Sequence, residues 1–81
     1  MRLEPNPTEG DITLIFNSLS SRILTFEFYD AIGRRIERVT KNSSIGENRI
    51  EFDVRPYAAG MYWVKPIVKD KPLPALRFIK L

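Results

Sequence analysis

Eighty-one residues allow one small domain, which buries only about 60% of the surface its unfolded chain exposes. With neither histidine nor cysteine, the chain lacks the usual neutral-pH general base, the Ser-His-Asp constellation, disulfides and the commonest metal ligands. No catalytic residue, metal or cofactor is therefore expected. Thirteen Lys and Arg interleave with ten Asp and Glu for a net charge of +3, a solvated surface and not a nucleic-acid tail.

No run of about 18 apolar residues exists, so no transmembrane segment is expected. The N-terminus lacks the apolar centre of a signal peptide. Composition leaves two settings open, a cytoplasmic protein or a piece cut from a larger secreted one. Residues 1–10 read as extended and turn-rich, because Pro5 and Pro7 bias their predecessors away from helix and Thr8-Glu9-Gly10 completes a turn. Residues 11–16 alternate, with Ile12, Leu14 and Phe16 on one face of a half-buried strand. A polar turn follows at 17–21, its Leu19 expected to fold back onto the core.

Residues 23–29 form a second strand, with Leu24, Phe26 and Phe28 opposite Thr25, Glu27 and Tyr29. Asp30-Ala31-Ile32-Gly33 makes a tight connection, since Asp favours turn starts and Gly33 admits positive φ. The charged return strand at 34–40 belongs near an edge, where its charges discourage pairing with other sheets. Residues 41–46 read as a loop, whose Asn42-Ser43-Ser44 match to a glycosylation sequon we treat as chance. The next strand, 47–54, points Ile50 and Phe52 inward. After a turn closing at Gly60, a strand runs to about residue 69, with Tyr62 and Val64 on one face and Met61 and Trp63 on the other. Pro66 has no ladder donor, so its nitrogen is expected at an edge or a bulge. A turn at 69–72 leads to the last strand, 74–81.

The Gly-x-Tyr-x-apolar entry at 60–64 resembles the tyrosine corner of immunoglobulin-like sandwiches, where a Tyr at the start of strand F hydrogen-bonds back to the loop before it. Tyr62 would be that Tyr, and Val64 would fill the place a disulfide takes in antibodies. Together these elements predict an all-β fold, an immunoglobulin-like antiparallel β-sandwich of about seven strands. Its expected core is Ile12, Leu14, Phe16, Phe26, Phe28, Ile50, Phe52, Tyr62, Val64 and Phe78.

Few residues offer chemistry. Glu47 with Glu51, or Asp30 with Asp53, are the only carboxylate pairs that could converge as in a glycosidase; solvent-facing strand and turn positions explain them better, and no enzyme activity is expected. Arg34, Arg35, Arg38, Arg49 and Arg55 could make a basic patch with Tyr29 or Trp63 stacking on bases, but salt-bridged strand surface is the simpler reading, and no nucleic-acid partner is expected. Trp63 either stands on the surface as a platform for a sugar or protein partner, or packs under a neighbour.

Four segments in order resemble one family. They are Pro5-Asn6-Pro7-Thr8-Glu9-Gly10, Phe28-Tyr29-Asp30-Ala31-Ile32-Gly33-Arg34, Ala59-Gly60-Met61-Tyr62-Trp63-Val64 and Arg77-Phe78-Ile79-Lys80. The pattern is similar to the type A C-terminal sorting domain of the type IX (Por) secretion system: P-N-P-x-x-G, then D-x-x-G-R, then a loop into G-x-Y, then a short basic-apolar finish. Pro5, Asn6, Pro7, Gly10, Asp30, Gly33 and Arg34 are its motif positions here. Tyr57-Ala58 stands where the family has Leu-Pro, Pro66 interrupts a strand, and Leu81 follows the usual terminal Lys.

The resemblance implies that residues 1–81 are one C-terminal sorting domain excised from a larger secreted protein. It implies an N-terminal cargo that crosses the periplasm to the outer membrane or cell surface through an outer-membrane translocon. A sortase-like peptidase then usually removes the domain. Gly60, Tyr62, Arg77, Phe78, Ile79, Lys80 and Leu81 would be the residues the machinery reads, by capture of a free edge strand and C-terminus. An accessory sandwich that binds carbohydrate through Trp63 and Tyr62 or Tyr29, or a purely structural spacer, is the alternative.

Overall fold

In a computed structural model describing all 81 residues, the chain is built from strands without helix. The strands are β1 (Arg2–Glu4), β2 (Asp11–Ser18), β3 (Arg22–Asp30), β4 (Arg35–Ser43), β5 (Gly46–Asp53), β6 (Gly60–Val68), β7 (Lys71–Pro72) and β8 (Leu76–Lys80). One antiparallel sheet has the order β1-β2-β5. In the other, β4-β3-β6 lie side by side, and β7 and β8 share the far edge of β6. First, second and fifth strands facing third, sixth and last is the immunoglobulin-like arrangement, with β4 beside β3 as in variable-type sheets. Strand β7 is the one element beyond the expected seven.

Alternation decides what is buried. The ten expected core residues all lie in one cluster between the sheets, joined by Leu24 and Val54. Phe52 of one sheet meets Phe26 and Phe28 of the other edge-to-face, at 5.1 Å each, a geometry that suits the quadrupoles of aromatic rings. Strand β4 is the outer edge of its sheet and mostly exposed, as its charges require.

Three local expectations need correction. Leu19 does not fold back but is 99% exposed, because the Ser18 hydroxyl donates to Ser20 O (2.6 Å) and turns the chain so that Leu19 sits at its tip. Most of 41–46 is strand: β4 continues to Ser43, and the connection is held by Asn48, whose Oδ1 accepts from Ser44 N (2.9 Å) while Nδ2 donates to Ser44 O and Gly46 O. The turn at 69–72 narrows to Lys69 and Asp70, with φ of 51° and 63°, the paired positive values of a type I′ hairpin. Pro66 lies inside β6, opposite Phe26 on β3. On the other side β6 pairs with β8 only as far as Val64 and with β7 only from Ile67. Pro66 O accepts from Leu73 N in that gap (2.8 Å). A strand residue sends its N and O to the same side, so the missing N–H falls where no ladder bond is due.

Candidate functional site

The four motif segments, far apart in sequence, lie side by side across one end of the five-stranded sheet. Asp30 is the register partner of Tyr62, Tyr62 of Phe78, Gly60 of Lys80, and Lys80 of Thr8 in a parallel bridge. Each segment has a local physical reason to be there.

The turn at 30–34 is tied by one carboxylate. Asp30 Oδ1 accepts from Ile32 N (3.2 Å) and Arg34 N (2.9 Å), and Oδ2 accepts from Arg34 Nε (3.0 Å). Backbone bonds from Gly33 N to Asp30 O and from Asp30 N to Arg34 O close the loop, with Gly33 at φ 87°. That is a type I turn followed by a left-handed residue, a common three-residue hairpin loop. The donors facing Asp30, first the Arg34 amide, hold its carboxyl below the usual range.

The entry to β6 is the expected tyrosine corner. Tyr62 is buried, and its hydroxyl donates to Ala58 O at 2.6 Å. Gly60 begins the strand at φ 156°. Tyr57 packs at 5.0 Å from the Tyr62 ring and 6.0 Å from Phe28, and donates its hydroxyl to Glu37 Oε1 on β4 (3.0 Å). Burial foremost, with Glu37 beside it, pushes this phenol well above its ordinary pKa. An open depression of about 260 Å³ separates this loop from the 30–33 turn, lined by Ala31, Ile32, Ala59, Met61 and Tyr62 among others.

The first segment does something the sequence did not reveal. Between β1 and β2 the chain leaves the three-stranded sheet and runs along the outer edge of β8. Asn6 Nδ2 donates to Arg77 O (3.0 Å), and Asn6 Oδ1 accepts from Ile79 N (3.0 Å). Thr8 N donates to Ile79 O (2.9 Å), and Thr8 O accepts from Leu81 N (2.8 Å). Thr8 is itself buried, its hydroxyl donating to Asp11 O and accepting from Gly10 N. Gly10 lies so close to Arg55 that a Cβ there would meet Arg55 Cγ at 3.0 Å. Strand β8, expected to offer a free edge, is therefore covered by the chain's own first motif. Only separation along the chain, 71 and 73 residues for the Asn6 bonds, hid this from sequence reasoning.

The C-terminal residues divide by face. Phe78 is fully buried, stacked 5.5 Å from Tyr62, and Lys80 is 9% exposed with Nζ donating to Leu81 O. Arg77 and Leu81 are exposed and Ile79 half-buried, each pointing away from the core. In register with them, on the outer face of β6, stand Trp63 beside Arg77 and Met61 beside Ile79.

Of the other sequence candidates, Trp63 is half-buried, with Tyr29 and Arg77 as its neighbours in the sheet. The Tyr29 hydroxyl donates to Glu27 Oε1 (2.7 Å) and Lys65 Nζ lies 4.8 Å above its ring, while Tyr62 is internal. Glu27 also accepts from Arg35 Nη1 (3.0 Å). The Tyr29 bond first, then Arg35 and Lys65, lower its pKa against the opposing effect of burial. Arg34, Arg35, Arg49 and Arg55 are ion-paired with Asp30, Glu27, Glu47 and Asp53 respectively, and Arg38 is not. Asp53, clasped at 2.9 Å by two Arg55 nitrogens, has its pKa lowered to about 2. Thus Asp30, Asp53 and Glu47 are each engaged by an arginine.

Among known proteins, a family model described as a secretion system C-terminal sorting domain matches residues 3–72. The match takes in the motif positions from Pro5 to Tyr62 and ends before β8. No curated protein and no solved structure matches the chain.

Proposed function

We propose, from the premise that this chain belongs to the type IX secretion C-terminal sorting domains, that it delivers a cargo fused at its N-terminal side through the outer-membrane translocon. On this reading a sortase-like peptidase removes the domain afterwards, and the domain performs no catalysis of its own. Export to the outer membrane or cell surface follows from the family; the route through the periplasm is part of the proposal. The portion read by the machinery is 60–81.

One observation carries the reading: all four motifs meet at one end of the sheet, with the C-terminal strand between the start of β6 and the first motif. Well-formed turns need not lie together in a fold. Their adjacency instead builds one composite surface whose outward row is Arg77, Ile79 and Leu81, beside Met61 and Trp63. Backbone and alternate side chains along a strand are what strand-capturing partners use for affinity and specificity.

A secreted reporter fused ahead of the domain tests this. Removing residues 77–81 should leave it in the periplasm. Because Phe78 is fully buried, that deletion also costs the core about 3–5 kcal/mol. Arg77→Glu, on the exposed outward row, removes no core residue and should also block export. Surface arrival of both altered reporters at the intact level, with the intact fusion exported, refutes the assignment of the signal to 60–81.

A further inference from the structure

We propose that residues 6–8 form a displaceable strap that holds the seat of a partner strand. An extended polypeptide of the secretion machinery, running parallel to β8, takes that seat when the strap leaves. The inference rests on the sorting role proposed above and specifies how that site is regulated.

The seat is defined by four main-chain groups on the outer edge of β8: Arg77 O, Ile79 N, Ile79 O and Leu81 N, all engaged by Asn6 and Thr8. Alternating donors and acceptors at strand spacing are the chemistry of another peptide backbone. The Thr8–Lys80 bridge fixes its direction as parallel.

The present occupant fills the seat minimally. At Asn6 a single side-chain amide substitutes for a peptide group, making one bond as donor and one as acceptor. The flanking Pro5 and Pro7 have no N–H, so the strap has no further donors beside Asn6 with which to extend its ladder. Both Asn6 bonds are exposed, so water takes them over when they open. Thr8, buried and bonded to Asp11 and Gly10, is the last contact to go. The strap therefore peels from Asn6 towards Thr8. Its departure bares the edge of β8 while leaving Phe78 and the β6 ladder in place. Until then the edge is closed to indiscriminate pairing, a hazard that exposed strands otherwise carry. The strap is also the chain's link between β1 and β2, so the N-terminal side, where a cargo is joined, is mechanically continuous with the lock on the C-terminal strand.

Two measurements test the proposal. In native-state hydrogen exchange on the 81-residue domain, the Ile79 and Leu81 amides should exchange at least about a hundredfold faster than the β3–β6 ladder amides, through local opening. Equal rates would mean that the strap leaves only on global unfolding, and would overturn it. In cells, Thr8→Cys with Lys80→Cys joins bridge partners on strands about 4.8 Å apart, within disulfide reach; because Lys80 lies within 60–81, the Lys80→Cys single variant is the reference for export. The oxidised double variant should export less of a reporter than that reference, and a reductant should return it to the reference level. Export at the reference level with the disulfide intact, or a shortfall that reductant leaves unchanged, overturns the strap. Failure of the unmodified domain to export the reporter refutes the sorting role instead, and the exchange result is independent of that outcome.

Discussion

Replacing Asn6 by alanine isolates the contribution of one side-chain amide. The substitution removes two hydrogen bonds to main chain, to Arg77 O and from Ile79 N. Each such bond is worth roughly 0.5–1.5 kcal/mol net. Because both are solvent-exposed, water replaces the amide and no buried group is left unpaired. The loss therefore belongs in the lower half of the range, about 1–2 kcal/mol for the pair. For a domain of this size that lowers Tm by about 4–16 °C. Urea unfolding followed by Trp63 fluorescence measures it, and the slope m should not change, since no core surface is altered. Asn6→Asp is the sharper comparison. A carboxylate still accepts from Ile79 N, but it presents a second oxygen to Arg77 O in place of a donor. At neutral pH it should lose at least as much as alanine. A loss under about 0.3 kcal/mol in both variants would show that the Asn6 contacts do not stabilise the edge.

Gly33→Ala should destabilise by about 1 kcal/mol; no atom lies within 4 Å of an added Cβ, so the cost is that of φ 87° alone, and Gly33→Asn should recover part of it in the same urea assay. Tyr62→Phe keeps the stack on Phe78 and deletes only the bond to Ala58 O, predicting a loss of about 1 kcal/mol in equilibrium unfolding. Asp53 has a folded-state pKa of about 2 against an ordinary 3.8. A depressed carboxylate stabilises the fold above its unfolded pKa and loses that contribution as pH falls through the folded one, so stability should decline between about pH 4 and 2. Asp53→Asn should flatten part of that decline, and an unchanged acid profile would refute the pairing with Arg55.

Much of this was legible because alternation is a local signal. A period of two at Ile12-Leu14-Phe16, Phe26-Phe28 and Ile50-Phe52 assigns the core, since a register slip by one would turn each set outward. The alternation also marked Val54, two residues past Phe52, which the expected core stopped short of. The corner at Tyr62 and the turn at Asp30 were equally local, with partners four residues away. What escaped were contacts set by topology. The β8 edge looked free because its cover comes from the other end of the chain. Lys80 looked like a readable basic ending, yet its even-numbered position puts it on the same face as Phe78 and towards the interior. For Pro66 the sequence required only a nitrogen free of the ladder; what it could not show is that the free position is the gap where β8 stops and β7 begins.

The division of β8 by face changes which residue should be mutated to test recognition. Lys80→Ala alters a buried side chain and so mixes folding with reading, whereas Arg77 contributes to the fold through its carbonyl, which alanine keeps. Its side chain is exposed and makes no ion pair, standing instead beside Trp63 on the outer face. Arg77→Ala should accordingly leave stability within about 0.5 kcal/mol of the parent. If the outward row of β8 is what the machinery reads, the same substitution should reduce export of a fused reporter, and Arg77→Lys should restore it only in part, because a guanidinium and an ammonium differ in shape and hydrogen bonding. Unfolding and export are measured on the same fusion, so a fall in both would trace the defect to folding. Undiminished export by a stable Arg77→Ala domain would exclude the Arg77 side chain from recognition and leave the β8 backbone, uncovered when the strap departs, as the feature that a partner can grip.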